Sequence, residues 1–325
     1  MFGKKNVSPR PLPGTGSNSV SNNEIMLRLA EDYMTDRKWR RFFKFLLLGL
    51  FVLYVLSIML FAGSTGKSVN ASKPHTALVE LNGVIGLQGG VFADQINLSL
   101  RQAFEAKNSK AVVLRINSPG GSPVQSDEIN SEITRLRNLH PEKQMHVVVS
   151  DICASGGYYI AAAADQIYAN PSSIVGSIGV RMDGFGFVEA MDKLGVERRS
   201  LTAGENKSIL DPFQPVNPAQ KLHAQEMLAV VHQQFIDKVK LGRGDRLTDN
   251  PDLFSGLFWS GEQAKDLGLI DEFGSLDFVA RDVVGFAEIV DYTKRPGFLD
   301  QLAKDFGVSV GRGVASVFGG SFQLN

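Results

Sequence analysis

The sequence predicts an α/β domain with a largely parallel sheet, preceded by one N-terminal transmembrane helix. Three observations predict it. Short apolar, β-branched runs alternate with longer amphipathic ones through the middle of the chain, as in strands joined by crossover helices. Two glycine pairs, Gly120-Gly121 and Gly156-Gly157, stand where such strands would end, the end at which open α/β sheets place their sites. An uncharged apolar run near the N-terminus follows a cluster of basic residues.

Composition narrows the function classes. The 325 residues suffice for one large domain or two modest ones. With 34 basic and 34 acidic side chains, no global charge draws the chain to nucleic acid. The lone Cys153 excludes an intrachain disulfide and reads as a small packed residue, since no histidine lies near it in sequence. No His-x-x-x-His pair or cysteine cluster points to a metal, and no cofactor is expected.

From the N-terminus, residues 1–41 read as a cytoplasmic and mostly disordered tail, rich in Ser, Asn, Gly and Pro. Arg37, Lys38, Arg40, Arg41 and Lys44 then precede the apolar run Phe45 to Ala62. Eighteen residues at about 1.5 Å each cover about 27 Å, so with Phe42 and Phe43 the span is placed at 42–62. The basic cluster keeps its own side cytoplasmic and sends the rest of the chain across the membrane. A cleaved signal peptide fits less well, because the preceding tail is long and the run exceeds the usual h-region of about 7–15 residues.

Residues 63–75 form a polar linker, 76–292 the folded domain, and 293–325 a C-terminal tail. Thr76 to Leu81 is a predicted strand, Asp94 to Ala106 a helix, and Val112 to Ile116 the next strand. Asn117-Ser-Pro-Gly-Gly leads into a helix ending near Leu139, with Ser122 as cap, Pro123 in the first position and Gln125 able to close a capping box. Val147 to Ser150 is a buried strand, and a helix follows Ser155. Ile174 to Val180 carries Gly-Ser-Ile-Gly; Phe185 to Leu194 is helical and stops at Gly195. Asn217-Pro218 opens a long helix to about Leu241, with Leu228, Val231, Phe235 and Val239 on one face. A short helix and turn, from Trp259 to Gly274, close the pattern.

Ala154-Ser155-Gly156-Gly157 places a serine between a strand and a helix start. Backbone N–H groups there are unpaired and carry the positive end of the helix dipole, so they suit an oxyanion beside a nucleophilic hydroxyl. A plain glycine turn would leave the same residues.

These motifs, in order and spacing, resemble the signal peptide peptidase A group of serine peptidases. The resemblance spans roughly Thr76 to Gly274 and rests on Asn117-Ser-Pro-Gly-Gly, Ala154-Ser-Gly-Gly-Tyr-Tyr, Gly176-Ser-Ile-Gly-Val, Gly204-Glu-Asn-Lys-Ser and the Gly261–Asp271 stretch. In short members the base lysine follows the serine by about fifty residues; here 207 − 155 = 52. The resemblance implies a crotonase and Clp-protease-like fold of repeated β-β-α units. It also implies Ser155 as nucleophile, Lys207 as base, Ser177 as the hydroxyl orienting the lysine, and the amides of Gly121 and Gly156 as oxyanion hole.

An ordinary lysine, with a pKa of about 10.4, is protonated at neutral pH, so Lys207 must be taken out of water to accept the Ser155 proton. Activity should then rise with pH. The competing bases, His75, His140, His146, His223 and His232, lie in no glycine-bounded loop.

The expectation is a membrane-anchored serine endopeptidase in a bacterial inner membrane. It would be single-pass, with a cytoplasmic N-terminus and a periplasmic catalytic domain. Its partners would be remnant signal peptides, the membrane and further copies of itself in a ring or dome, with no nucleic acid. Two alternatives are a membrane-protein quality-control peptidase resembling the SohB type and a non-catalytic membrane-anchored oligomeric scaffold.

Overall fold

A computed structural model describes residues 72–87 and 90–294, with residues 42–54 and isolated positions before them. The chain divides into two units, Met1–Lys67 and Ser68–Asn325. In the first, residues 42–54 are helical with exposed side chains. No helix among the described residues is long and apolar enough to cross a membrane. Apart from Met26, Trp39 and Ser57, the 1–41 tail, the remainder of the predicted 42–62 span, the linker up to residue 71 and residues 295–325 lie outside the described residues.

The second unit is a mixed α/β layer structure on a largely parallel sheet. In chain order it comprises β1 (His75–Asn82), α1 (Ala93–Glu105), β2 (Ser109–Ser118), α2 (Pro123–Leu139), β3 (Gln144–Ala154), α3 (Gly156–Ala161), β4 (Gln166–Ala169) and β5 (Ile174–Gly176). Then follow α4 (Val188–Leu194), α5 (Pro218–Arg243), β6 (Phe258–Ser260), α6 (Gly261–Asp266), β7 (Glu272–Phe273), α7 (Leu276–Phe278) and β8 (Ile289–Asp291). The strand order is β6-β5-β3-β2-β1-β8, with β4 pairing β3 and β7; only the β5–β6 pair is antiparallel.

Burial explains the apolar runs. The central strands carry side chains into cores on both faces, so they read as continuous rather than alternating hydrophobic stretches. The larger core joins Leu81, Leu114, Ile116 and Val149 to Leu100 and Phe104 of α1 and Ile129 and Ile133 of α2. The smaller one holds Val113, Val148 and Tyr168 against Val279. Between α1 and α2 the buried Glu132 pairs with Arg101 at 2.6 Å and Arg135 at 2.7 Å. Hydrogen bonds from Arg135, then Arg101, outweigh burial and hold its carboxyl down at about 2.

Several elements differ from expectation. β3 extends well past Val147–Ser150 because it changes neighbours along its length: His146–Val148 pair with β4, and Ile152–Ala154 pair with β5. Within the Ile174–Val180 stretch only Ile174–Gly176 forms a strand, β5, and the residues after it leave the sheet. Gln125 does not close a box with Ser122. Ser122 accepts from the Gln125 amide at 3.4 Å, but the Gln125 side chain instead accepts from the Ala93 amide at 3.0 Å and so caps α1 from a neighbouring helix. The three-residue β8 extends the sheet beyond β1, and Tyr292 just after it hydrogen-bonds His75 at 2.9 Å.

Candidate active site

Three strand ends meet at one point. Ser118 of β2 aligns with Cys153 of β3, and Ala154 of β3 aligns with Gly176 of β5. The next residue on each strand therefore falls into the same place. Pro119 and Gly120 arrive beside Ser155, and Ser155 lies beside Ser177.

Both serines have left-handed backbones, Ser155 at φ 52° and Ser177 at φ 53°. Non-glycine residues rarely adopt that region, and those that do cluster where geometry serves a function. The surroundings fix it. The Ser155 amide donates to Gly176 O at 2.8 Å, its carbonyl accepts from Tyr159 at 2.9 Å, and the Ser177 amide donates to Leu257 O at 2.7 Å. Sharp turning at Ser155 breaks β3 directly into α3, leaving the side chain half-buried at the helix start.

The surrounding glycines are required by space. A Cβ on Gly120 would stand 2.7 Å from Ser155 Cβ and 2.7 Å from the Gly156 nitrogen. One on Gly156 would stand 2.5 Å from Ser126 Oγ and 3.2 Å from the Gly121 nitrogen. The Gly121 and Gly156 amides are thus close neighbours beside Ser155. Neither donates to a backbone or side-chain acceptor among the described residues. Two free N–H groups at a helix start beside a hydroxyl are suited to holding a developing oxyanion.

These groups open on a cleft of about 880 Å³ lined by Gly120, Gly121, Ser155, Gly156 and Ser177. Four of the five sequence-predicted site residues are therefore together. Lys207 is not. It lies in a turn with its amide on Gly204 O at 3.1 Å, its side chain exposed, and it is not among the cleft-lining residues. Asn206 beside it accepts from Gln220 on α5 at 3.0 Å, which fastens this turn to the start of the helix.

Motif reading missed the apolar walls. Tyr159 lies one turn after Ser155 and lines the cleft with Phe235 of α5, their ring centroids 4.9 Å apart. The i, i+4 spacing from Ser155 was the available signal. The Tyr159 hydroxyl donates to Asp127 Oδ1 at 2.8 Å; burial, and then that carboxylate, push the phenol well above its ordinary range. Lys238 pairs with the same Asp127 oxygen at 2.9 Å. Cys153 is fully buried, and burial pushes its thiol up, so it packs rather than reacts. Of the histidines weighed as bases, His146 is buried at the start of β3, away from Ser155, and His232 bonds the Ile178 carbonyl at 3.0 Å. No group of His, Cys, Asp or Glu among the described residues could hold a metal ion.

Residues 137–285 match the family described as Peptidase family S49. A protein of Brucella abortus (strain 2308) named Na(+)/H(+) antiporter NhaA is 47% identical over 224 residues, 67% of this chain but 30% of that protein. This chain therefore spans under a third of that relative. A Methanocaldococcus jannaschii protein provisionally named a protease is 33% identical over 222 residues, covering 66% of this chain and 70% of that one. Protease 4 of Haemophilus influenzae is 34% identical over 186 residues, 57% of this chain and 29% of its own length. With the family match lying across Ser155, Ser177 and Lys207, and a peptidase-named relative aligned over most of its length, the chain belongs to Peptidase family S49.

Proposed function

We propose that this chain is a membrane-anchored serine endopeptidase with a Ser155–Lys207 dyad, acting on remnant signal peptides and similar apolar peptides. The observation that carries the reading is the strained Ser155 beside the two free amides of Gly121 and Gly156.

In the proposed reaction, Ser155 Oγ attacks the peptide carbonyl carbon while its proton passes to the neutral Lys207 amine. The carbonyl oxygen, now negative, is held by the two amides. Collapse breaks the C–N bond, and Lys207 returns the proton to the leaving amine. Water, activated by the same lysine, then releases the acyl group from Ser155. Ser177, adjacent to Ser155 across the β3–β5 ladder, orients the lysine.

Since Lys207 is exposed and outside the cleft of its own chain, the reading assigns it to the site of a neighbouring copy. Such an arrangement would take its amine out of water. Support comes from the segment that carries it. Phe185, Leu194 and Leu201 are 80%, 77% and 101% exposed, and none of the α4 side chains is buried. Large apolar groups left exposed along one segment are the kind of surface that a second copy would cover. We therefore read the assembly as a ring or dome on a crotonase and Clp-protease-like fold. The 42–62 segment would anchor it in a bacterial inner membrane with the peptidase domain outside the cytoplasm. An anchor keeps the cleft near membrane-bound peptides and raises their effective concentration.

Mixing tests this. Ser155→Ala and Lys207→Ala chains should each be inactive on an apolar peptide, and a mixture of them should recover part of the wild-type rate. Full activity in either variant alone would refute the dyad; inactive variants with no recovery would put both residues of a site in one chain. The exposed Lys207 also favours a second reading, a non-catalytic oligomeric scaffold, and wild-type protein without peptide cleavage would select it. Profiling of cleaved substrates separates signal-peptide removal from a quality-control role.

A further inference from the structure

The cleft wall beyond Ser177 is a segment outside any helix or strand, with few ties. Gly179, Val180 and Arg181 all line the cleft. None of the three makes a backbone hydrogen bond to another element among the described residues. Upstream, the Ser177 amide is fixed to Leu257, and the Ile178 side chain is fully buried. What remains is the rotation of the peptide plane between Ile178 and Gly179. One side chain addresses it: His232 of α5, whose Nε2 lies 3.0 Å from the Ile178 carbonyl oxygen.

Two physical facts give that contact a consequence. A carbonyl can only accept, so His232 carries its proton on Nε2 and donates. A trans peptide plane points its C=O and N–H in opposite directions, so drawing Ile178 O toward α5 turns the Gly179 N–H away from it. That leaves the Gly179–Arg181 edge with its main-chain groups unspent, ready to pair with an extended peptide, the way edge strands capture ligands. Phe235, three residues along the same helix, reaches the same cleft. α5 thereby sets both an apolar surface and the orientation of a main-chain edge.

We infer that His232 is a positioning residue for substrate: through its hydrogen bond to Ile178 it holds the 179–181 edge in register for main-chain pairing with a peptide. It does not touch the reacting atoms and acts in either protonation state, since Nε2–H is present in both. The inference rests on the peptidase reading, because it presumes that a peptide occupies the cleft.

The test is binding, measured without turnover. A fluorescein-labelled apolar decapeptide is titrated into full-length Ser155→Ala protein and into the same protein carrying His232→Ala, His232→Phe or His232→Gln. Loss of one net hydrogen bond predicts about fivefold weaker binding for the Ala and Phe variants. Gln, whose amide reaches about as far as Nε2, should recover most of it. With Ser155 intact, His232→Ala should raise KM for the decapeptide about fivefold more than KM for a single-residue ester, which has no main chain to pair. His232→Phe keeps the ring volume, so a misfolded Ala variant does not decide the matter. Parent affinity in both the Ala and Phe variants, or equal losses in Phe and Gln, would overturn the inference alone. Failure of the Ser155→Ala parent to bind the peptide at all would overturn it together with the peptidase reading.

Discussion

Replacing Gly120 by alanine probes how tightly the turn is built around Ser155. An added Cβ would sit 2.7 Å from Ser155 Cβ, 2.7 Å from the Gly156 nitrogen and 2.9 Å from the Ala154 carbonyl oxygen. Ordinary contact begins near 3.4 Å, so the shortfall is 0.7 Å against two of the three neighbours. Two of those atoms are backbone and the third is the Cβ of Ser155, so no flexible side chain can yield. The turn or Ser155 must move by a comparable distance. Catalytic groups need placement to about 0.5 Å, and a shift of about 1 Å costs about a hundredfold in rate. We expect Gly120→Ala to lower kcat by about 30- to 100-fold on an apolar peptide. Backbone strain at φ 102° adds a stability loss of about 1 kcal/mol. Gly285→Ala is the control: its φ is 80°, but nothing lies within 4 Å of the new methyl. It should show the stability loss and keep kcat. The assay pairs steady-state cleavage with urea unfolding. Wild-type kcat in Gly120→Ala, or equal kcat losses in both variants, would refute the claim that Gly120 positions Ser155.

Three further outcomes are expected. Arg243 is fully buried and holds Asp271 at 2.8 and 3.0 Å, so Arg243→Met should cost about 3 kcal/mol in urea unfolding at pH 7; a loss under about 1 kcal/mol would contradict it. His146 is buried with neither ring nitrogen hydrogen-bonded among the described residues, and burial pulls its pKa below the ordinary histidine value against a smaller upward pull from Asp165. The unfolded chain therefore binds the proton more readily, and stability falls as pH drops below about 6.5. His146→Leu should unfold at more nearly the same urea concentration at pH 5 and pH 8 than wild type does, and an unchanged difference would count against the assignment. Cys153 should resist iodoacetamide in native protein and react fully in 6 M guanidinium, the mass shift being read directly; native labelling would show an open site.

Much of the cleft around Ser155 was legible because it is local. Ser155, Gly156 and the Gly120-Gly121 pair each sit at a strand end, and the residues themselves announce the turn. Sequence could not show that β3 changes partners midway, because pairing with β4 and then β5 is a property of the sheet. Yet that switch is what brings Ser177 beside Ser155. Gln125 illustrates the same limit on a smaller scale. Its spacing fitted a capping box within α2, but the amide of Ala93 in another helix was the acceptor's better-placed donor. Local rules name candidate partners, and tertiary contacts choose among them.

Lys207 is the one expected site residue that the cleft does not gather in. Resemblance to the family pattern singled it out, and its distance along the chain from Ser155 says nothing about where the turn that carries it ends in space. The residues around it show how the fold treats this segment. Phe185, Leu194 and Leu201 stay in water, whereas Ser155 and Ser177 are held in strained conformations by fixed hydrogen bonds. One half of the proposed machinery is thus built into a single subunit, and the other half is carried on an arm that leaves large apolar side chains exposed. If a second subunit covers that arm, burial of its apolar side chains and desolvation of the Lys207 amine happen in the same step. Assembly would then switch on the base, and isolated subunits with an intact Ser155 turn would be inert until they met.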